Sequence, residues 1–171
     1  MQSIHILPAA GSASRLNGIP KFLLPITTTS YLLKYHMNLI SSELDNIDLK
    51  FEVACNKINY PILNSLNIID NLKIIDSKSM VETVKKLVST NSNKNIIYSC
   101  SMPDTYFSSK NSFNEMRNKL LLDEEVDVVL GLWKMEKFQK GKFGQVELDK
   151  SNEKILQVVD KDPNCKFKYF W

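Results

Sequence analysis

The residues best equipped for chemistry sit near the start of the chain, in ILPAAGSASRLNGIPKFLLPI, residues 6 to 26. An apolar, strand-like run gives way to Ala9, Ala10, Gly11, Ser12, Ala13 and Ser14, and then to Arg15 and Lys21. Small side chains leave a line of backbone N–H donors open to a close ligand, and Gly11 can take positive φ at no steric cost. Arg15 offers a planar fork that grips phosphate oxygens in pairs, while Lys21 offers a mobile point charge. The combination suits a polyphosphate. It is neither a Walker loop nor a GxGxxG turn, because the glycines those need are missing. An ordinary strand-to-helix loop with solvated basic residues explains the composition equally well. The second candidate is Asp104, in SMPDTYF. Taken alone, an acid in Pro-Asp-Thr is most often a turn or cap residue.

These groups need a scaffold. Ile4 to Leu7 reads as a first strand, and Leu32, Tyr35, Leu39 and Ile40 fall on one face of a helix over Tyr31 to Leu44. Strands follow at Leu49 to Cys55 and Leu72 to Ile75, with a short helix between them at Pro61 to Leu66. Met80 to Val88 has helical period and can be capped by Ser77 or Ser79, and Asn95 to Cys100 reads as a buried strand. After the loop Met102 to Ser109 come a helix with Phe113, Met116 and Leu120, and a strand over Val126 to Trp133. Phe143 to Leu148 and Ile155 to Val159 flank a polar turn and predict a hairpin. Strands alternating with helices predict an α/β fold with a mostly parallel sheet, whose ligands lie at the carboxyl ends of its strands. Both chemical candidates lie there. His5 alternates along a strand and His36 sits on a helix, so each reads as satisfied or exposed rather than functional.

Composition restricts the partners. A chain of 171 residues with 43% hydrophobic content has material for one domain, taken as residues 1–171. Its 22 basic and 19 acidic residues are dispersed, which argues against a nucleic-acid partner. Three cysteines at wide, irregular spacing fit neither a disulfide framework nor a zinc site. No apolar run approaches the ~20 residues of a membrane span. The expectation is a cytoplasmic protein with no membrane partner.

PAAGSASRLNGIPKFLLPI resembles the signature of the sugar-phosphate nucleotidyltransferases, such as the glucose-1-phosphate thymidylyltransferase-like enzymes. That signature runs Ala-Ala-Gly, variable, Gly, Thr/Ser, Arg, Leu/Met, a short gap, then Pro-Lys, variable, Leu-Leu-Pro. Ala13 stands at its second glycine, and the gap before Pro20-Lys21 is compressed, as in cytidylyltransferase-like branches. SMPDTYF resembles the family's Gly-Asp segment, with Pro103 at the glycine. FGQVELDKSNEKILQVVDKDP resembles its Tyr-Gly-Val-Val and Glu-Lys-Pro segments, with Asp160 in place of Glu and Asp162 inserted before Pro163.

The resemblance implies a Rossmann-like, three-layer αβα nucleotidyltransferase fold of the GT-A-like type, with the hairpin at its C-terminal end. It implies transfer of a nucleotidyl group from a nucleoside triphosphate to a sugar 1-phosphate or similar phosphorylated alcohol, giving a dTDP- or UDP-sugar. Cytidylyl transfer, or a non-catalytic nucleotide-binding remnant, is the alternative. Arg15, Lys21 and Asp104 would be catalytic, with Asp104 carrying Mg²⁺. Residues Ala9 to Ser14 would bind nucleotide, and Asp160 and Lys161 the acceptor. The family's second metal-binding Asp has no counterpart before the aromatic ending CKFKYFW, so a truncated domain is expected, with aromatic surface there a candidate for self-association into a homo-oligomer.

Overall fold

A computed structural model describes residues 1–11, 16, 18–89, 95–106, 110–139 and 141–171, with nothing stated of the side chain at 137. The chain forms two compact units, Met1–Asn114 and Glu115–Trp171. In the first unit, β1 (Gln2–Ala9), β2 (Leu49–Cys55), β3 (Leu72–Ile74) and β4 (Ile96–Cys100) make a parallel sheet ordered β3-β2-β1-β4. Helices α1 (Leu32–Glu43), α2 (Tyr60–Ser65) and α3 (Met80–Val88) alternate with the strands, and α4 (Ser112–Leu122) follows.

The strand sequences explain the layering. A strand covered on both faces must be apolar at odd and even positions alike, and β1 is buried from Ser3 through Leu7. Its odd-numbered Leu7 and Ala9 pack with Val53, Cys55, Leu33 of α1 and Leu63 of α2. Ile4 and Ile6 face the other way, against Ala54 and Leu87 of α3. Helices on both faces of one sheet make the three αβα layers the sequence predicts. Helix α3 begins at Ser79, whose side chain accepts from the Glu82 N–H and meets one of the donors a helix start leaves orphaned.

The second unit is built on antiparallel pairing. The predicted hairpin is present as β6 (Gly144–Leu148) and β7 (Ile155–Asp160), joined by β8 (Tyr169–Phe170) and β5 (Trp133–Lys134) in the order β5-β8-β6-β7. The expected strand over Val126 to Trp133 is a correction: only Trp133 and Lys134 form a strand. Residues 126–132 carry strand-forming side chains but have no ladder partner among the described residues, and a strand exists only through its ladder. The strand expected to be buried at Asn95 to Cys100 is observed as Ile96–Cys100, half-exposed on the edge of its sheet beside β1. No helix among the described residues is long and apolar enough to cross a membrane.

Candidate active site

Strand order fixes where a ligand fits. From β1 the chain steps outward to β2 and β3, then returns to place β4 on the other side of β1. The crevice beyond the carboxyl ends of β1 and β4 is therefore the topological switch point, where open α/β sheets bind ligands. The Ala9–Gly11 segment leaves β1 at this edge, and the Ser101–Tyr106 segment leaves β4 beside it.

A direct bond links the two loops. Lys21 Nζ donates to Asp104 Oδ2 at 3.2 Å, with both side chains partly open to solvent. Lys21 starts a short 3₁₀ turn, Lys21–Leu23, that is anchored by buried Phe22. Asp104 lies in a turn closed by the Thr105 N–H to the Met102 carbonyl at 3.2 Å, with Pro103 buried. Asp104 is thus a turn residue, as its sequence context allows, yet its carboxylate is spent on Lys21 rather than on capping the turn.

The small-residue loop is pinned by two asparagines that the sequence reading does not single out. Asn59 is buried, and its Nδ2 donates to the carbonyls of Ala9 at 2.9 Å and Gly11 at 3.2 Å. Asn56 Nδ2 donates to the Ala10 carbonyl between them, at 2.8 Å. Three consecutive carbonyls are thereby held toward the segment after β2. The only sequence signal is an Asn pair at a strand's carboxyl end, and it becomes informative once β2 is known to lie beside β1. Asn59→Asp, nearly isosteric, sets a carboxylate against two carbonyl oxygens. It should cost more than the roughly 1–3 kcal/mol expected of Asn59→Ala, which loses the bonds alone. Urea unfolding of the two variants measures the difference.

Gly11 does not use positive φ. The left-handed glycine of this loop is Gly18, at φ 85°, while a Cβ on Gly11 would meet open space. Ser12, Ala13, Ser14 and Arg15 lie outside the described residues. Asp160 and Lys161 belong to the second unit, where Lys161 follows β7 with φ 51°. A non-glycine residue is seldom left-handed, and here the turn lets the Lys161 N–H reach the Phe143 carbonyl at 3.2 Å. Its ammonium stands 3.7 Å from Asp160 Oδ2, both side chains largely exposed.

Behind the Asp104 turn lies a buried polar cluster. His5 and His36 are both inaccessible to solvent and hydrogen-bonded, the satisfied rather than the exposed case the sequence allows. Burial, and secondarily His36, pushes His5 down to about 3. Burial likewise pushes His36 down to about 4, opposed by the Thr105 backbone and by Asp104. Both rings are neutral at pH 7.

Among the described residues no three His, Cys, Asp or Glu side chains converge as a metal site. Asp104 is a single carboxylate, already shared with Lys21. That donor set fits a Mg²⁺ held chiefly by substrate phosphates, and does not fit a metal resident in the nucleotide-free protein.

No protein-family model matches the sequence, and a search of curated proteins gives no match. Solved structures do resemble it. CMP:2-keto-3-deoxy-manno-octonic acid synthetase complexed with CTP aligns with TM-score 0.70 and 12% identity, over 99% of this chain and 70% of that one. UDP-glucose pyrophosphorylase complexed with UDP-glucose gives TM-score 0.71 and 16% identity, over 99% and 74%. Inositol-1-phosphate CTP transferase from T. maritima gives TM-score 0.57 and 14% identity, over 99% and 67%. The chain therefore has the Rossmann-like αβα fold of these nucleotidyltransferases.

Proposed function

We propose that the chain transfers a nucleotidyl group from a nucleoside triphosphate to a sugar 1-phosphate or similar phosphorylated alcohol, as one catalytic domain. The observation carrying this reading is the Lys21–Asp104 pair across the β1/β4 switch point, beside a loop whose three pinned carbonyls come from small residues. A phosphate oxygen of the acceptor attacks the α-phosphorus, a new P–O bond forms, the bond to the β-phosphate oxygen breaks, and pyrophosphate leaves. Such chemistry asks for in-line positioning and for neutralisation of charge on the phosphoryl oxygens. Lys21 and Arg15 would supply that positive charge to the triphosphate.

Asp104 would hold Mg²⁺, which when bound neutralises phosphate charge and orients the reacting oxygens. To do so it must exchange Lys21 for the metal, and the freed ammonium is then available to a phosphate. UTP or dTTP is the proposed donor, in keeping with the UDP-glucose pyrophosphorylase that shares the fold. CTP is the second reading, favoured by the two cytidylyl enzymes among the structural relatives.

A thermal-shift panel of ATP, CTP, GTP, UTP and dTTP, with and without Mg²⁺, tests the proposal, because a ligand bound only by the folded state raises the melting temperature. One nucleotide should stabilise the protein in a Mg²⁺-dependent way, and Mg²⁺ alone should do nothing. Asp104→Asn should weaken Mg²⁺-dependent nucleotide binding by about 10-fold or more. A shift with Mg²⁺ alone, or none with any nucleotide, would count against the reading.

A further inference from the structure

The buried histidines are joined through one hydroxyl. His5 Nε2 lies 2.8 Å from Ser101 Oγ, and His36 Nε2 lies 2.9 Å from the same atom. Ser99 Oγ, 2.7 Å from His5 Nδ1, completes the cluster. His5 comes from the central strand, His36 from α1, and Ser101 from the loop that carries Asp104 three residues later. The backbone of that loop is tied to β1 by the Ser101 N–H to the Ile6 carbonyl at 3.3 Å.

Proton counting constrains the cluster. A serine hydroxyl has one proton to donate, and a neutral imidazole presents a donor at one nitrogen and an acceptor at the other. If both Nε2 atoms were bare, one of the two bonds at Ser101 would have no proton. If both were N–H, the hydroxyl would accept twice and its own proton would face neither ring. Both contacts are hydrogen bonds, with the hydroxyl proton donated into one of them, only when one ring is the Nε2–H form and the other the Nδ1–H form. Ser99 serves either form of His5, since a hydroxyl both donates and accepts; His36 also interacts with the Thr105 backbone, so Ser101 is where the form of one ring is passed to the other.

We propose that Ser101 is a positioning residue: its hydroxyl locks His5 and His36 into opposite neutral tautomers and so bolts the Asp104 turn to the sheet and to α1. The structural part is independent of catalysis, and the link to Mg²⁺-dependent nucleotide binding rests on the nucleotidyl-transfer reading. The turn is also held by the Lys21–Asp104 bond, by the interaction of the Thr105 backbone with His36, and by the Tyr106 ring stacked on Tyr35 of α1 at 5.1 Å between centroids.

Long-range ¹H–¹⁵N NMR of the imidazoles at pH 7 tests the lock directly in the nucleotide-free protein. One Nδ1–H and one Nε2–H ring are expected, with the opposition kept in Ser101→Thr and lifted in Ser101→Ala. Two rings of the same tautomer in the native protein would overturn the proposal. Hydrogen exchange at the Thr105 amide reports on the turn, and it should quicken about 10-fold or more in Ser101→Ala, the equivalent of one lost buried hydrogen bond, and little in Ser101→Thr. Unchanged exchange in both variants would overturn the positioning role. Mg²⁺-dependent nucleotide affinity should fall about 10-fold in Ser101→Ala. A native protein with opposed tautomers that binds no nucleotide would instead sink the nucleotidyl-transfer reading and leave the lock standing.

Discussion

Lys21→Ala is expected to lower kcat/KM for pyrophosphate release by about 10²–10³-fold, the usual cost of removing one donor aimed at developing phosphoryl charge. Stability should scarcely change. In the resting protein the Lys21 ammonium holds Asp104 at 3.2 Å, with side-chain exposures of 43% and 26%, and a pair so open to water contributes roughly 0–1 kcal/mol. A residue whose purpose is to brace the loop would cost stability when removed, whereas one whose charge serves a substrate costs rate. Steady-state kinetics with denaturant unfolding on the same variant separates the two, and an unaltered kcat/KM would show that the pair is a surface contact.

The second large effect is a loss of stability in mild acid. His5 and His36 fall from an ordinary 6.5 to about 3 and about 4 when folded. The unfolded chain therefore binds more protons than the folded one below pH 6.5, so stability is complete above that value and drains away as pH falls toward the folded values. By linkage each ring costs about 2 kcal/mol between pH 7 and pH 5. Among the described residues no carboxylate contacts His5, which meets Ser99, Ser101 and the Phe51 and Phe113 rings. At His36 the attraction to Asp104 is outweighed by burial. The chain has no other histidine, so these two rings dominate the titration in this window. Urea unfolding at pH 7, 6 and 5 should show the decline, and a His5→Asn, His36→Asn double variant should be weaker at pH 7 but nearly flat with pH. A native protein equally stable at pH 7 and 5 would contradict the burial of the neutral rings.

The sequence made some of this legible and hid the rest for physical reasons. A central parallel strand is apolar on both faces, so β1 announces itself, and the alternation of strand and helix that follows leads to the αβα layers. The hairpin β6–β7 shows for a similar reason, since its turn and its pairing are local. The Val126 to Trp133 run misleads because strand-forming side chains do not supply a ladder partner. Asp104 is singled out by the resemblance of SMPDTYF to a family segment, and its loop leaves the end of β4. Asn56 and Asn59 are not, since their bonds reach back 46 to 50 residues to a neighbouring strand's loop. The histidines are hidden by the same distance: Ser99 and Ser101 lie more than ninety residues from His5, and only strand pairing between β1 and β4 brings them together. Helix α1 buries Leu33 and His36 beside Leu32 and Ile40, while Tyr35 and Leu39, read as part of its inward face, are only half-buried. The buried stripe is rotated toward the polar cluster that only the folded sheet creates.

Nucleotidyl transfer is visible by ³¹P NMR of the protein with Mg²⁺, each nucleoside triphosphate in turn and a set of sugar 1-phosphates. Pyrophosphate and a new diphosphate-linked nucleotide-sugar should appear together in equal amounts for one pairing, and neither in Asp104→Asn. Triphosphate and sugar phosphate left unchanged in every pairing, or hydrolysis to inorganic phosphate without a nucleotide-sugar, would contradict it.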